Sequence, residues 1–108
     1  MKICDIGSYS LVSVDTPTIT EKDVSEITDF MYNNKKPVII DMMGVESCIN
    51  KFYILFKDYP GITLLNTDSK VLTTLFITGF DRYVKIFDDK VSFADNLREL
   101  KQRRFCVV

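Results

Sequence analysis

The sequence predicts an α/β fold: a single domain over residues 1–108, with the element order β-β-α-β-α-β-α-β-α and a mostly parallel sheet flanked by helices. Three observations predict it. Val38-Ile39-Ile40 and Ile62-Thr63-Leu64-Leu65 are continuous, largely β-branched runs, as strands buried on both faces are. Between and after them, apolar residues recur at i, i+3, i+4 and i+7, the spacing of one helix face. Turn and stop residues separate the two patterns at Asn33–Pro37, Pro60-Gly61 and Gly79. Alternation of this kind argues for crossover connections and a parallel sheet. Such a sheet brings strand C-termini and helix N-termini to one rim, where ligands and partners dock.

Residues 2–6 and 10–15 read as short strands joined by the turn-like Gly7-Ser8-Tyr9, and Thr16-Pro17-Thr18 breaks the pattern. Thr20 with Asp23 marks a helix start with an acid in its first turn. Val24, Ile27 and Met31, with Phe30 beside them, form that helix's apolar stripe. The Val38–Ile40 strand follows, with Asp41 at its C-terminal end. Ile49, Phe52, Tyr53 and Phe56 place a second helix near residues 48–58. After the strand over 62–66, Asp68 or Ser69 caps a helix that buries Val71, Leu72, Leu75 and Phe76, and Gly79 stops it. Residues 83–87 read as the last strand. Ser92 and Asp95 have capping-box spacing ahead of Phe93, Ala94, Leu97 and Leu100. Residues 102–108 form a C-terminal tail.

Composition narrows the function. With 46% hydrophobic and 27% charged residues the chain is neither a disordered tail nor a coiled-coil rod. A net charge of -1 provides no global field for nucleic acid or an anionic membrane. No run approaches the roughly 20 apolar residues of a membrane span. Neither nucleic-acid binding nor membrane insertion is expected, and the basic cluster Arg98, Lys101, Arg103 and Arg104 reads as a complement to the last helix dipole. The chain has no His, the commonest general base and metal ligand. It also lacks a Gly-rich phosphate loop and a nucleophile motif, so no enzyme and no cofactor is expected. Asp41, Asp68, Asp81, Asp88 and Asp89 read as turn formers and caps. Cys4, Cys48 and Cys106 are odd in number, far apart and without a CxxC, so no metal site is expected. Read as free thiols, they suit a reducing cytoplasm.

Beyond these patterns, particular residues resemble a known family. They are Gly61–Asn66, Ser69–Asp81, Val84–Asp89 and Ala94, with Pro37–Val45 upstream. Together they resemble the STAS domain, named for sulfate transporters and anti-sigma factor antagonists, over about residues 2–101. The stretch from Thr78 to Phe87 is the most specific. The resemblance implies a non-enzymatic regulator of bacterial transcription that works by binding another protein. In phosphorylatable members, a kinase-like anti-sigma factor modifies a Ser in an Asp-Ser-Ser-Gly-like turn that opens the second helix, and the added charge expels the partner. Here that turn falls on Ile49-Asn50-Lys51-Phe52. Asn50 and Lys51 cannot take the phosphoryl group, so no phosphorylation is expected. Ser47, the nearest hydroxyl, is an outside candidate for a displaced phosphosite and reads more simply as a helix N-cap. The second helix is also about two turns shorter than is usual in the family.

The resemblance and the rim argument together place a partner-binding surface at Ser47, Asn50, Lys51 and Tyr53, with Asp15 and Thr16 on the neighbouring rim. The expected partner is a kinase-like anti-sigma factor. The alternatives are a soluble STAS subunit docking on the ATPase of an ABC-type lipid transporter, and a sensor domain holding a small ligand at the rim. The apolar end Phe105-Cys106-Val107-Val108 is expected to be ordered, on its own domain or across a homodimer.

Overall fold

The computed structural model describes residues 1–87. Its strands are β1 (Lys2–Asp5), β2 (Ser10–Ser13), β3 (Thr18–Ile19), β4 (Val38–Asp41), β5 (Ser47–Cys48), β6 (Ile62–Leu65) and β7 (Val84–Phe87). Its helices are α1 (Glu21–Asn33), α2 (Asn50–Asp58) and α3 (Ser69–Thr78), and a 3₁₀ turn over Phe80–Tyr83 leads into β7. The expected last helix, the basic cluster from Arg98 to Arg104, Asp88, Asp89 and the tail lie outside the described residues.

The architecture is mixed α/β with a mostly parallel sheet. Five strands run in the order β1-β2-β4-β6-β7. The β1–β2 hairpin is antiparallel, with Lys2 opposite Ser13, and the other three pairings are parallel. One helix occupies each parallel crossover, so all three helix N-termini emerge at the edge where β2, β4 and β6 end. Two strands were not expected. The short β3 and β5 pair in parallel as a separate two-stranded sheet, Thr18 with Ser47 and Ile19 with Cys48.

Pleating sends alternate residues to opposite faces. Val12, Val38, Ile40, Ile62 and Leu64 face one core with Val24 and Ile27 of α1, Phe52, Leu55 and Phe56 of α2, and Val71 and Leu75 of α3. Ile6, Leu11, Ile39 and Leu65 form a smaller cluster on the other face. A capping box starts α1: the Thr20 hydroxyl accepts the Asp23 N–H at 3.4 Å, and the Asp23 carboxylate accepts the Thr20 N–H at 3.0 Å. Such a cap is worth about 1 kcal/mol. Asp68 caps α3 by accepting the Lys70 N–H at 2.8 Å, and Gly79, at φ 79, ends it in the left-handed region. One expected core residue is misplaced: Phe76 is exposed, because it follows Leu75 directly and so points about 100° round the helix from the buried Val71–Leu75 line. The reading of three free thiols is corrected at Cys4, which is disulfide-bonded, while Cys48 is free. Linear spacing alone does not show which distant residues a fold brings together. Among the described residues no helix is long and apolar enough to cross a membrane.

Candidate functional site

The rim is built from the segments that leave β2, β4 and β6. The first two are fastened to each other. Pro17 has no N–H to donate, but its carbonyl accepts the Glu46 N–H at 2.7 Å and the Ser47 N–H at 3.2 Å. The Ile19 carbonyl accepts the Ile49 N–H at 3.2 Å, and the Thr18 and Ser47 hydroxyls lie 3.0 Å apart.

The expected site residues divide on this frame. Asp15 is exposed and accepts the Met1 ammonium at 3.0 Å, and that bond and charge hold its carboxyl below the usual range. Thr16 donates to the Thr18 carbonyl at 3.0 Å. Ser47 is exposed on β5 and is not the helix cap. Ile49 holds that position, with no side-chain cap bond, because the β3–β5 pairing delays the helix start to Asn50. Asn50 and Lys51 are exposed in the first turn of α2. The Lys51 ammonium is ion-paired with Glu21 of α1, which lowers the Glu21 pKa. Tyr53 is a correction. It is only 5% exposed, with its ring edge-on to Phe52 and Phe56, so it belongs to the apolar stripe of α2 and not to the surface.

Sequence reasoning missed a second feature at the rim. Asp41, at the end of β4, accepts the Met43 N–H at 3.1 Å and the Asn66 side-chain amide at 3.0 Å. Asn66 has a left-handed φ of 58. This bridge ties the segments leaving β4 and β6 to each other, and beside it opens a cavity of about 370 Å³. Its described lining runs from Met42 through Glu46 and from Asn66 through Asp68, with Phe87. Thr67 lines it, and the Thr67 hydroxyl oxygen is buried with no hydrogen-bond partner among the described residues.

No family model and no curated protein matches this chain.

Beneath the exposed part of the rim lie Cys48 on β5, half-buried, and Tyr53 on α2, buried. Burial pushes the Cys48 thiol up to about 11, against the opposing effect of a hydrogen bond with Tyr53. Burial also pushes the Tyr53 phenol up to about 12; the charge of Cys48 adds to this and a hydrogen bond with Thr74 opposes it. A thiol with a raised pKa is protonated at neutral pH and is a poor nucleophile. Among the described residues no three His, Cys, Asp or Glu side chains are grouped as a metal centre requires.

Proposed function

We propose that this chain is a protein-interaction module, a regulator of the anti-sigma factor antagonist kind without the phosphorylatable serine. The observation that carries the reading is the opening of α2. Its first turn presents Asn50 and Lys51 to solvent at the rim and holds no serine or threonine; its one hydroxyl, that of Tyr53, belongs to a buried side chain. A phosphoswitch at that turn needs an acceptor oxygen, and an amide and an ammonium supply none. Asp15, Thr16 and Ser47 extend the exposed surface beside it, whereas Tyr53 supports it from below. The proposed partner is a kinase-like anti-sigma factor. A cytoplasmic location belongs to this reading but draws nothing from Cys4, since a disulfide suits an oxidising compartment better.

Two measurements test the reading. Incubation with a kinase-like anti-sigma factor and ATP should leave the mass of the protein unchanged, and a phosphate on Ser47 would restore the switch. Lys51→Glu should weaken partner binding while leaving the melting temperature nearly unchanged, because exposed ion pairs contribute little to stability. The exchange variant Lys51→Glu with Glu21→Lys re-forms the ion pair with its ends reversed. If it binds as weakly as the single variant, Lys51 meets the partner directly. If it binds like wild type, Lys51 only orients the helix. If all three proteins and Asn50→Asp bind alike, the interface lies elsewhere.

A second reading, a small-ligand sensor, is favoured by the cavity between the β4 and β6 loops.

A further inference from the structure

The two faces of the sheet are covered differently. The parallel crossovers run in one direction, from β2 to β4 to β6 to β7, and right-handed crossovers in such a series carry their helices to one face. The buried residues of α1, α2 and α3 accordingly join the larger core, and the cluster on the other face contains no helical residue. That other face is buried all the same. Register places Cys4, Leu11, Ile39 and Thr63 side by side in one row from β1 to β6, with Leu65 in the next row. Leu11, Ile39, Thr63 and Leu65 are each less than a tenth exposed. Ile6 and Tyr9 of the β1–β2 turn pack on this cluster, but β6 lies two strand spacings beyond β2, about 10 Å. Thr63 and Leu65 therefore need a second cover. The disulfide points to it. Cys4, at the edge of the row, is disulfide-bonded, whereas Cys48 is free, and the chain has one further cysteine, Cys106. Phe87, where β7 ends, packs on the same cluster, so Phe87 and Cys4 stand at opposite edges of this face. Those edges are four strand spacings apart, about 19 Å. Residues 88–105, eighteen in all, are long enough to span that distance even with a helix among them. They also supply Phe93, Leu97 and Leu100 at i, i+4 and i+7.

We propose that Cys4 is joined to Cys106, and that residues 88–105 are thereby strapped across the second face of the sheet, with Phe93, Leu97 and Leu100 over Ile39, Thr63 and Leu65. Closing the strap takes one proton and one electron from each thiol; a small-molecule disulfide accepts both protons and both electrons and leaves as two thiols. The reverse exchange with a small thiol opens it. Cys4 is half-buried on an edge strand, where such a thiol can reach it. Opening would bare Leu11, Ile39 and Leu65, an apolar surface on the side of the sheet away from the helices. The inference is independent of the partner surface on α2.

The test starts from the full chain equilibrated with oxidised glutathione, then alkylated and digested without reduction. Mass spectrometry should find the Cys4 and Cys106 peptides linked and Cys48 alkylated, and sedimentation should find a single chain. In NMR spectra of the oxidised protein, the methyl groups of Ile39 and Leu65 should show NOEs to Phe93, Leu97 or Leu100. Reduction should remove these NOEs and lower the melting temperature by about 10 °C or more. Cys48→Ser should keep that response to reduction, and Cys4→Ser should abolish it. The inference is overturned if Cys4 is linked to Cys48 or to nothing, or if the link joins two chains and doubles the sedimenting mass. It is equally overturned if the Cys4–Cys106 link forms without those NOEs, or if the NOEs and the melting temperature survive reduction unchanged.

Discussion

Phe52→Ala is expected to destabilise the protein by about 3–5 kcal/mol, the usual range for removing a large aromatic ring from a packed core. Phe52 is fully buried, with its ring centre 4.8 Å from that of Phe56 in an edge-on arrangement and 6.1 Å from that of Tyr53. The three rings fasten the nine-residue α2 to the sheet. A helix this short has little stability of its own, so it depends on that packing. A domain of this size has about 5–15 kcal/mol in all, and the loss is a large part of it. Urea unfolding measures the effect, with Ile54→Ala as the control on the same helix. Ile54 is 47% exposed, and its replacement should have a much smaller effect. Equal destabilisation by the two variants would mean that α2 does not pack as described.

Alkaline pH is the second sensitive condition. Cys48 and Tyr53 are neutral when protonated, and burial raises both pKa values, from 9.0 to about 11 and from 10.0 to about 12. In the unfolded chain both groups lose their protons earlier than in the folded one. Their contribution is therefore complete below about pH 9 and is lost as pH rises through the window up to about 12. At about 1.4 kcal/mol per pH unit of separation, the rise at Cys48 from 9.0 to about 11 alone gives a loss on the order of 3 kcal/mol, and Tyr53 adds to it. Comparing urea unfolding at both ends of the window, wild type should lose more stability than the double variant Cys48→Ala with Tyr53→Phe. Parallel losses in the two proteins would sink this assignment.

The main elements were legible where one physical signal acted alone. The β-branched run at Val38–Ile40 marks a central strand, Thr20 with Asp23 marks a capped helix, and Gly79 marks a stop that needs a left-handed backbone. Tyr53 was legible too, since its spacing with Phe52 and Phe56 already placed it on the apolar stripe; the rim reading set that signal aside. Ser47 was not legible. Its role depends on a two-residue strand pairing with a segment 29 positions away, and local sequence carries no trace of such a contact. The cavity was hidden for the same reason. It arises where the loops after two parallel strands diverge, and the Asp41–Asn66 bridge that fixes their separation spans 25 positions. Short-range periodicity reports elements, whereas long-range closure makes sites.

The pairing of β3 with β5 also bears on the thermodynamics of docking. The segments that lead into α1 and α2 would, if separate, each sample many conformations, at about 1–2 kcal/mol per residue to fix on binding. Here Pro17 and Ile19 accept backbone N–H groups of the opposite segment, so that ordering is already complete when the chain folds. A molecule approaching this edge meets a preorganised face, and little of its interaction energy is diverted to immobilising loops. Its association rate would then be governed by encounter and orientation rather than by waiting for a loop to close.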